Sequence, residues 1–247
     1  MLDFRLVNLR MSRPTAQGRN QAALSLHPGA VEHYEDAKFY QSRYRARTED
    51  ISYYLRRLRG ASRILEYGAG AGRLTVQLAQ GGKSVTAVDS SPSMLALLTS
   101  NLQDLTSSAR KRVSVRQADM RAFRTPKKFD AVVAAFHTLC HLYSWTDMDS
   151  FLSRAYAHLL PGGRLEFDLP LPRVDVPGYD PISQVKVTEM DSPGGVQLLT
   201  QRWYQPQEIR MYLHYAGFER VKLHSDFSTE KVHSETSVFT VSAQKPQ

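Results

Sequence analysis

Three glycines, Gly68, Gly70 and Gly72, lie between a short apolar segment and a segment with helical spacing. Glycines at such a junction let the backbone pass close to a ligand, and the N-terminus of the following helix offers free N–H groups. Asp89 ends the next apolar segment, where a carboxylate can accept hydrogen bonds from both hydroxyls of a ribose. These residues predict a binding site for a cofactor that contains a nucleoside.

The glycine spacing disfavours a nicotinamide cofactor. Dinucleotide-binding loops have the pattern Gly-x-Gly-x-x-Gly, whereas this loop is Gly-x-Gly-x-Gly. Glu66 stands two residues before the first glycine. A carboxylate at that position suits a cofactor with a positively charged group better than one with a pyrophosphate.

Short apolar strands alternate with helical segments after Gly60. This alternation predicts an α/β fold with a doubly wound, mainly parallel, Rossmann-like sheet. Strands are expected at 63–67, 84–88, 113–115, 129–135 and 164–168, and helices at 73–80, from Pro92 onward with Ser91 as N-cap, and at 149–160, where Pro161-Gly-Gly163 ends the helix.

The two ends of the chain have other patterns. Aromatic and apolar residues over 31–58 predict two helices with a break near Thr48, which we expect to be an N-cap. A hairpin is predicted around Ser192-Pro-Gly-Gly195, followed by a helix and two antiparallel strands. We expect a flexible arm over 1–30 and a single domain over 31–247, in which 31–60 form a helical lid and 170–204 an inserted hairpin that covers the substrate.

Composition and charge narrow the classes of protein. The single cysteine, Cys140, excludes a disulfide framework and favours a cytoplasmic location, and no apolar run is long enough to span a membrane. The net charge is +8, but residues 131–247 hold 10 Lys and Arg against 13 Asp and Glu, a net charge of −3. Because basic groups are not concentrated after the glycine motif, a nucleic-acid partner is disfavoured.

Five motifs in order resemble those of a class I S-adenosylmethionine-dependent methyltransferase. The likeness covers about residues 31–168, and the stretch from Phe136 to Leu142 resembles one found in small-molecule enzymes of the glycine and amino-sugar type. The motifs are Ile64-Leu-Glu-Tyr-Gly-Ala-Gly-Ala-Gly-Arg-Leu74, Val88-Asp-Ser-Ser-Pro-Ser-Met-Leu95, Ala118-Asp-Met120, Phe129-Asp130 and Leu160-Pro-Gly-Gly163.

The resemblance implies S-adenosyl-L-methionine as the cofactor and assigns residues to its parts. Glu66 and the 68–72 loop would face the methionine part and Asp89 the ribose. Met94 would lie against the adenine, Asp119 would accept from its amino group, and Met120 would donate its backbone N–H. The full set of predicted cofactor-binding residues is Tyr40, Glu66, Gly68, Ala69, Gly70, Gly72, Arg73, Asp89, Ser90, Met94, Asp119, Met120 and Phe136.

Two histidines after the fourth strand are the candidate catalytic residues. His141 could accept a proton from a nucleophile, since the pKa of histidine lies in the working range; alternatively, it caps or orients the next helix. His137 is nearer the strand end and is a second candidate base.

The predicted function is transfer of a methyl group to nitrogen or oxygen of a small-molecule acceptor, by in-line displacement without a metal. The alternatives are a protein or RNA methyltransferase and a catalytically silent S-adenosylmethionine-binding protein, because related chains can share the same fold and cofactor motifs. The sequence leaves the identity of the acceptor and the oligomeric state open.

Overall fold

The computed structural model describes residues 34–173 and 175–247. The arm predicted over residues 1–30 lies outside these ranges. Among the described residues, no helix has both the length and the apolar composition that a bilayer crossing would require.

A seven-stranded sheet with the order β3-β2-β1-β4-β5-β10-β9 forms the centre of the described fold. Neighbouring strands from β3 to β5 are parallel, and β10 is antiparallel to both β5 and β9. The predicted fold class is confirmed. The strands are β1 Arg63–Tyr67, β2 Ser84–Asp89, β3 Val113–Gln117, β4 Phe129–Ala134, β5 Leu159–Pro170, β9 Glu219–Ser225 and β10 Val238–Gln244.

Helices pack on both faces of this sheet. On one face Tyr54, Leu78 and Leu98 pack against Ile64, and on the other Phe151 belongs to the cluster that contains the next strand residue, Leu65. Successive strand residues therefore point to opposite cores. The helices are α1 Ala37–Tyr44, α2 Glu49–Arg57, α3 Arg73–Gln80, α4 Pro92–Asn101, α5 Ser107–Arg110, α6 Trp145–His158 and α7 Pro206–Tyr215, with 3₁₀ turns at Leu102–Asp104 and Thr138–His141.

A small antiparallel sheet is inserted between β5 and α7. It contains β6 Tyr179–Asp180, β7 Val185–Ser192 and β8 Gly195–Arg202. Strands β7 and β8 pair as the predicted hairpin around a turn at 193–194, whereas β6 is too short to give a sequence signal.

Three local predictions need correction. Helix α6 begins at Trp145 instead of Asp149, because Ser144 and Asp147 form a capping box. It ends at His158, since Leu159 already pairs with Phe129 in the sheet and the Pro-Gly-Gly segment is an irregularity within β5. Thr48 does precede α2, but its side chain makes no capping hydrogen bond.

The β1–β4 pair positions the site. Strand β1 is paired with β2 on one side and with β4 on the other, so chain connections leave in opposite directions at the carboxyl ends of β1 and β4. Open α/β sheets bind ligands in the crevice at such a switch point. The glycine loop follows β1 and the candidate histidines follow β4, which brings both to this edge.

A buried histidine gives the fold a testable pH dependence. His158 is 4% exposed, its Nδ1 lies 3.0 Å from the Tyr67 hydroxyl, and burial together with Arg154 and Lys128 lowers its pKa from 6.5 to about 4. The folded state therefore resists protonation, and stability should fall as pH decreases from 6.5 towards 4. Between pH 7 and pH 5, the free energy of unfolding measured with urea should fall less in His158→Gln, whose side chain does not titrate, than in the wild type. Equal losses would contradict this assignment.

Candidate active site

A cavity of about 600 Å³ opens at the carboxyl ends of the parallel strands. It brings together residues from the glycine loop, the ends of β2 and β4, the segment after β3, and the N-terminal part of the described chain. The predicted site residues in its lining are Tyr40, Gly68, Gly70, Asp89, Ser90, Met94, Asp119, Met120, Phe136 and His141.

The glycine loop fits closely between the β4 loop and the cavity. Gly68 has φ +66°, and a Cβ placed on it would lie 2.3 Å from Thr138 Oγ1, so this position excludes any side chain. Gly70 has φ +53°, and a Cβ there would meet nothing within 4 Å. The backbone at Gly70 is therefore open towards the cavity, as close approach of a ligand requires.

Asp89 holds the glycine loop and also faces the cavity. Its Oδ2 accepts from the Gly70 N–H at 2.8 Å, and its Oδ1 accepts from the Ser91 N–H at 2.9 Å. Burial raises the pKa of the carboxyl, while these two backbone donors oppose the rise. Each oxygen retains a further lone pair for a ligand hydroxyl.

Asp119 has a partner that the sequence analysis missed. Both of its oxygens accept from the Arg121 guanidinium, which also donates to Asp147 Oδ1 at 2.6 Å. This pairing lowers the pKa of the Asp119 carboxyl. Since Asp147 caps α6, Arg121 connects the cavity floor with the start of that helix. The only sequence signal for this pairing was a basic residue, Arg121, two positions after Asp119, the predicted adenine ligand.

Glu66, Ala69 and Arg73 line a second, smaller cavity of about 50 Å³ beside the first. Glu66 is 3% exposed, and burial raises its pKa to about 8, opposed by a hydrogen bond that Thr75 Oγ1 donates at 2.6 Å. Gly68, Gly70, Tyr40 and Phe136 line both cavities. Gly72 lines neither and instead precedes α3 as its N-cap residue.

Arg73 is held by a buried carboxylate on α2. Its Nη2 lies 2.9 Å from Asp50 Oδ1 and its Nη1 3.1 Å from Asp50 Oδ2, a bidentate pair, and Asp50 is 2% exposed. The same guanidinium stacks 4.8 Å from the centroid of the Phe136 ring. The predicted cofactor residue is thus part of the contact between α2 and the glycine loop.

The structure separates the two candidate histidines. His141 lines the main cavity, and its Nε2 lies 2.6 Å from the Tyr34 hydroxyl. His137 is outside the lining, and its Nδ1 lies 3.0 Å from Oδ2 of the fully buried Asp168. The geometry therefore favours His141 over His137 for contact with a bound acceptor, because the His137 ring lies beside the buried Asp168 and outside the cavity lining.

Four rings form an aromatic wall beside the cavity: Tyr34, Tyr40 and Phe136 line it, and Tyr44 packs between Tyr40 and Phe136 outside the lining. Adjacent ring centroids are 5.3 Å apart for Tyr34–Tyr40, 4.7 Å for Tyr40–Tyr44 and 5.0 Å for Tyr44–Phe136. Burial is the main cause that raises the pKa of all three phenols, so they are neutral at pH 7. The wall is uncharged and electron-rich, which suits a cationic neighbour.

Helix α1 and the inserted hairpin lie at the same edge as the cavity. Arg43 Nη1 on α1 donates to the Asp191 carbonyl near the hairpin turn at 3.2 Å, and the Tyr143 hydroxyl donates to the Thr200 carbonyl at 2.6 Å. Among the described residues of the insertion, none lines the main cavity. The hairpin therefore stands behind the Tyr143 segment, and α1 supplies the inner cover.

The donor chemistry of the cavity fits S-adenosylmethionine. Gly70 leaves the backbone open, Asp89 retains acceptor capacity, and the aromatic wall suits a sulfonium. Within 34–173 and 175–247, no group of three or more His, Cys, Asp or Glu side chains is placed to hold a metal ion.

The fold is that of a class I S-adenosylmethionine-dependent methyltransferase domain. Residues 64–163 match the family model described as a methyltransferase domain.

Individual proteins align with a larger part of the chain. A putative methyltransferase of Geobacillus sp. is 33% identical over 110 residues, 44% of this chain and 43% of that protein. A glycine/sarcosine N-methyltransferase of Halorhodospira halochloris is 29% identical over 145 residues, 57% of this chain and 51% of that protein. The chain thus spans about half the length of these relatives. The crystal structure of the glycopeptide N-methyltransferase MtfA with S-adenosylmethionine has a TM-score of 0.65 at 24% identity, covering 81% of this chain and 90% of that one, and shows the same fold.

Asp89 provides the first test of the cofactor site. Asp89→Ala would remove the acceptor for the ribose hydroxyls and for the Gly70 and Ser91 N–H groups. Hydrogen bonds to a charged group contribute about 1.5–3 kcal/mol each, so S-adenosylmethionine should bind about 100-fold more weakly or worse in calorimetry. Asp104→Ala, at an exposed acid, is the control and should bind as the wild type does. Unchanged affinity of Asp89→Ala would refute the ribose assignment.

Glu66 predicts a pH dependence of cofactor binding. Because burial raises the pKa of this carboxyl to about 8, it is mostly protonated at pH 7, and pairing with the cofactor ammonium would require loss of that proton. Affinity for S-adenosylhomocysteine should therefore increase from pH 6 to pH 8.5 more steeply in the wild type than in Glu66→Gln. The amino group of the ligand titrates with both proteins and cancels in the comparison. Parallel pH profiles would show that Glu66 does not face the ammonium.

Proposed function

We propose that this chain transfers a methyl group from S-adenosylmethionine to a nitrogen of a small-molecule acceptor, by direct in-line displacement without a metal. The observation that carries the proposal is that a single cavity brings Gly70, Asp89 and Asp119 together with His141 and its Tyr34 partner. The residues proposed to bind the cofactor and to accept the proton thus line one cavity.

The cofactor-binding residues would act as the sequence motifs imply. Asp89 would bind the ribose, Met94 and Asp119 the adenine, and the open backbone at Gly70 together with Glu66 the methionine part. S-adenosylmethionine supplies an electrophilic methyl group on a sulfonium, so the protein needs to align the acceptor, exclude water and manage one proton.

The proton would leave through His141 and Tyr34. The pKa of the Tyr34 phenol is raised well above its usual value by burial, so the hydroxyl stays protonated and can donate to His141 Nε2, which lies 2.6 Å away. The hydroxyl proton of Tyr34 could move to His141 Nε2 as the Tyr34 oxygen takes the proton that the methylated nitrogen loses, which leaves a neutral phenol and an imidazolium. The neighbouring aromatic wall would stabilise the cationic ammonium that exists until this proton leaves.

An amine acceptor is supported by the chemistry of two similar proteins. One is named as a glycine/sarcosine N-methyltransferase and the other as a glycopeptide N-methyltransferase. The lining also carries Glu35, Asp89 and Asp119 against one cation, Arg121, which favours a basic amine, attacking in its neutral form, over a phosphorylated acceptor. Transfer to oxygen is the second candidate, since His141 could equally accept a hydroxyl proton.

The same proposal extends to the domain organisation, the cellular location and the size of the acceptor. Residues 31–247 would act as one domain, with α1 covering the substrate side and the 170–204 insertion supporting the Tyr143 segment from behind. A cytoplasmic location is supported by the single cysteine, a buried thiol. A cavity covered by α1 favours a small acceptor over a protein or RNA strand, and a working proton path would distinguish an enzyme from a silent cofactor-binding protein.

Turnover of the His141 variants tests the proposed mechanism. Amines, amino sugars and hydroxy acids would be screened with S-adenosylmethionine, with release of S-adenosylhomocysteine as the readout. With the best acceptor, His141→Ala should lower kcat by about 10²–10⁴-fold and leave cofactor affinity nearly unchanged, and His141→Asn should not restore the rate.

His214→Ala, at an exposed histidine on α7, is the matched control and should retain wild-type turnover. A His141→Ala enzyme as fast as wild type would contradict the proton path. Wild-type protein that binds the cofactor but methylates nothing in the screen would favour the silent binding protein, and loss of turnover on adding a chelator would contradict a metal-free reaction.

A further inference from the structure

Asp168 lies at the end of β5, outside every motif that predicted the site. It is fully buried, and its Oδ1 accepts from the Tyr54 hydroxyl at 2.5 Å and from the Phe136 N–H at 2.8 Å. Its Oδ2 accepts from the His137 N–H at 3.0 Å. Burial opposes ionisation, but the neighbouring His137 and these donors hold the pKa of this carboxyl below its usual range.

The two backbone donors belong to residues with an uncommon conformation. Phe136 has φ +59° and His137 has φ +60°, although neither is glycine. Residues with side chains rarely adopt this left-handed region, and they do so where the surrounding structure imposes it. Both N–H groups at this turn are directed to one carboxylate, so Asp168 supplies the compensating interaction.

The left-handed pair determines where the cavity residues stand. His137 is the residue that precedes the 3₁₀ turn Thr138–His141, so the direction of that turn is set at 136–137. Thr138 Oγ1 donates to the Ala135 carbonyl at 2.7 Å and packs against Gly68. The Phe136 ring, at the other end of the pair, lines both cavities. The positions of the His141 and Phe136 rings therefore both depend on the hydrogen bonds that Asp168 accepts from the 136–137 backbone.

We infer that Asp168 is a positioning residue for methyl transfer: it holds Phe136 and His137 left-handed and thereby places His141 and the aromatic wall at the acceptor. This inference rests on the proposed function. Tyr54 joins α2 to the same carboxylate, so Asp168 also connects that helix with the β4 loop.

Asp168→Asn tests the inference against a matched control. The amide has the same shape but places an NH₂ group against one of the N–H or O–H donors. Glu166→Gln alters the other fully buried carboxylate of β5, which binds Arg57 and Ser242 and does not touch the 136–141 segment. We expect Asp168→Asn alone to speed amide hydrogen exchange over 136–141 at least tenfold and to lower kcat at least 30-fold, with affinity for S-adenosylhomocysteine within threefold of wild type.

A second pair of variants covers the case in which Asp168→Asn does not fold. Tyr54→Phe and Tyr53→Phe each remove one phenol hydrogen bond from adjacent residues of α2, but Tyr53 donates to Thr240 Oγ1 instead of Asp168. Tyr54→Phe should raise exchange over 136–141 and lower kcat about three- to tenfold, and Tyr53→Phe should do neither.

The outcomes separate this inference from the proposed function. Equal exchange over 136–141 and equal kcat in Asp168→Asn and Glu166→Gln, or in the two tyrosine variants, would overturn the positioning role while leaving methyl transfer intact. Wild-type protein that binds neither S-adenosylmethionine nor S-adenosylhomocysteine would overturn the proposed function. If the cofactor binds but no acceptor is found, the exchange comparison alone decides the positioning role.

Discussion

One buried carboxylate lies where three parts of the fold meet. Asp168 belongs to β5, accepts from Tyr54 on α2, and accepts two N–H groups from the loop after β4. A buried charge is costly unless donors surround it, and here one hydroxyl and two backbone N–H groups donate to it, with the His137 ring beside them. The ionised carboxylate therefore holds the left-handed loop and α2 in fixed positions relative to each other.

The two helices near the cavity, α1 and α2, differ in how firmly they are attached to the rest of the fold. Helix α2 is joined to its surroundings through Asp50 to Arg73, Arg57 to Glu166 and Tyr54 to Asp168, all at buried carboxylates. Removing one partner of such a buried pair typically costs about 3–5 kcal/mol, so α2 belongs to the folded core. Helix α1 buries only Ala37 and contributes Tyr40 to the cavity. The segment predicted as a lid over 31–60 therefore contains two helices with different attachment to the core.

The features that could be predicted from sequence are those encoded by neighbours in the chain. The alternation of strands and helices, the glycine loop, the Ser91 cap and the β7–β8 hairpin each depend on local periodicity or turn residues, and the structure has all of them. The start of α6 was misplaced because the Ser144–Asp147 capping box was overlooked, although its signal was local.

The remaining site contacts join residues that no local pattern relates. Tyr34 and His141 are 107 positions apart, and Tyr54 and Asp168 are 114 apart. Asp168 resembled an ordinary strand-end acid, and only the fold shows that the carboxyl end of β5 faces two inward-pointing N–H groups. The Arg121 bridge between Asp119 and Asp147 likewise depends on how the β3 loop meets α6.

A crystal structure of the protein with S-adenosylhomocysteine would show whether the ligand and the 136–137 pair take the positions proposed for them. Ribose oxygens should lie about 3 Å from the Asp89 carboxylate, and the adenine amino group should lie at Asp119. Phe136 and His137 should keep positive φ, with both N–H groups on Asp168. A ligand bound outside this cavity, or a bound ligand with the 136–137 pair released from Asp168, would contradict these assignments.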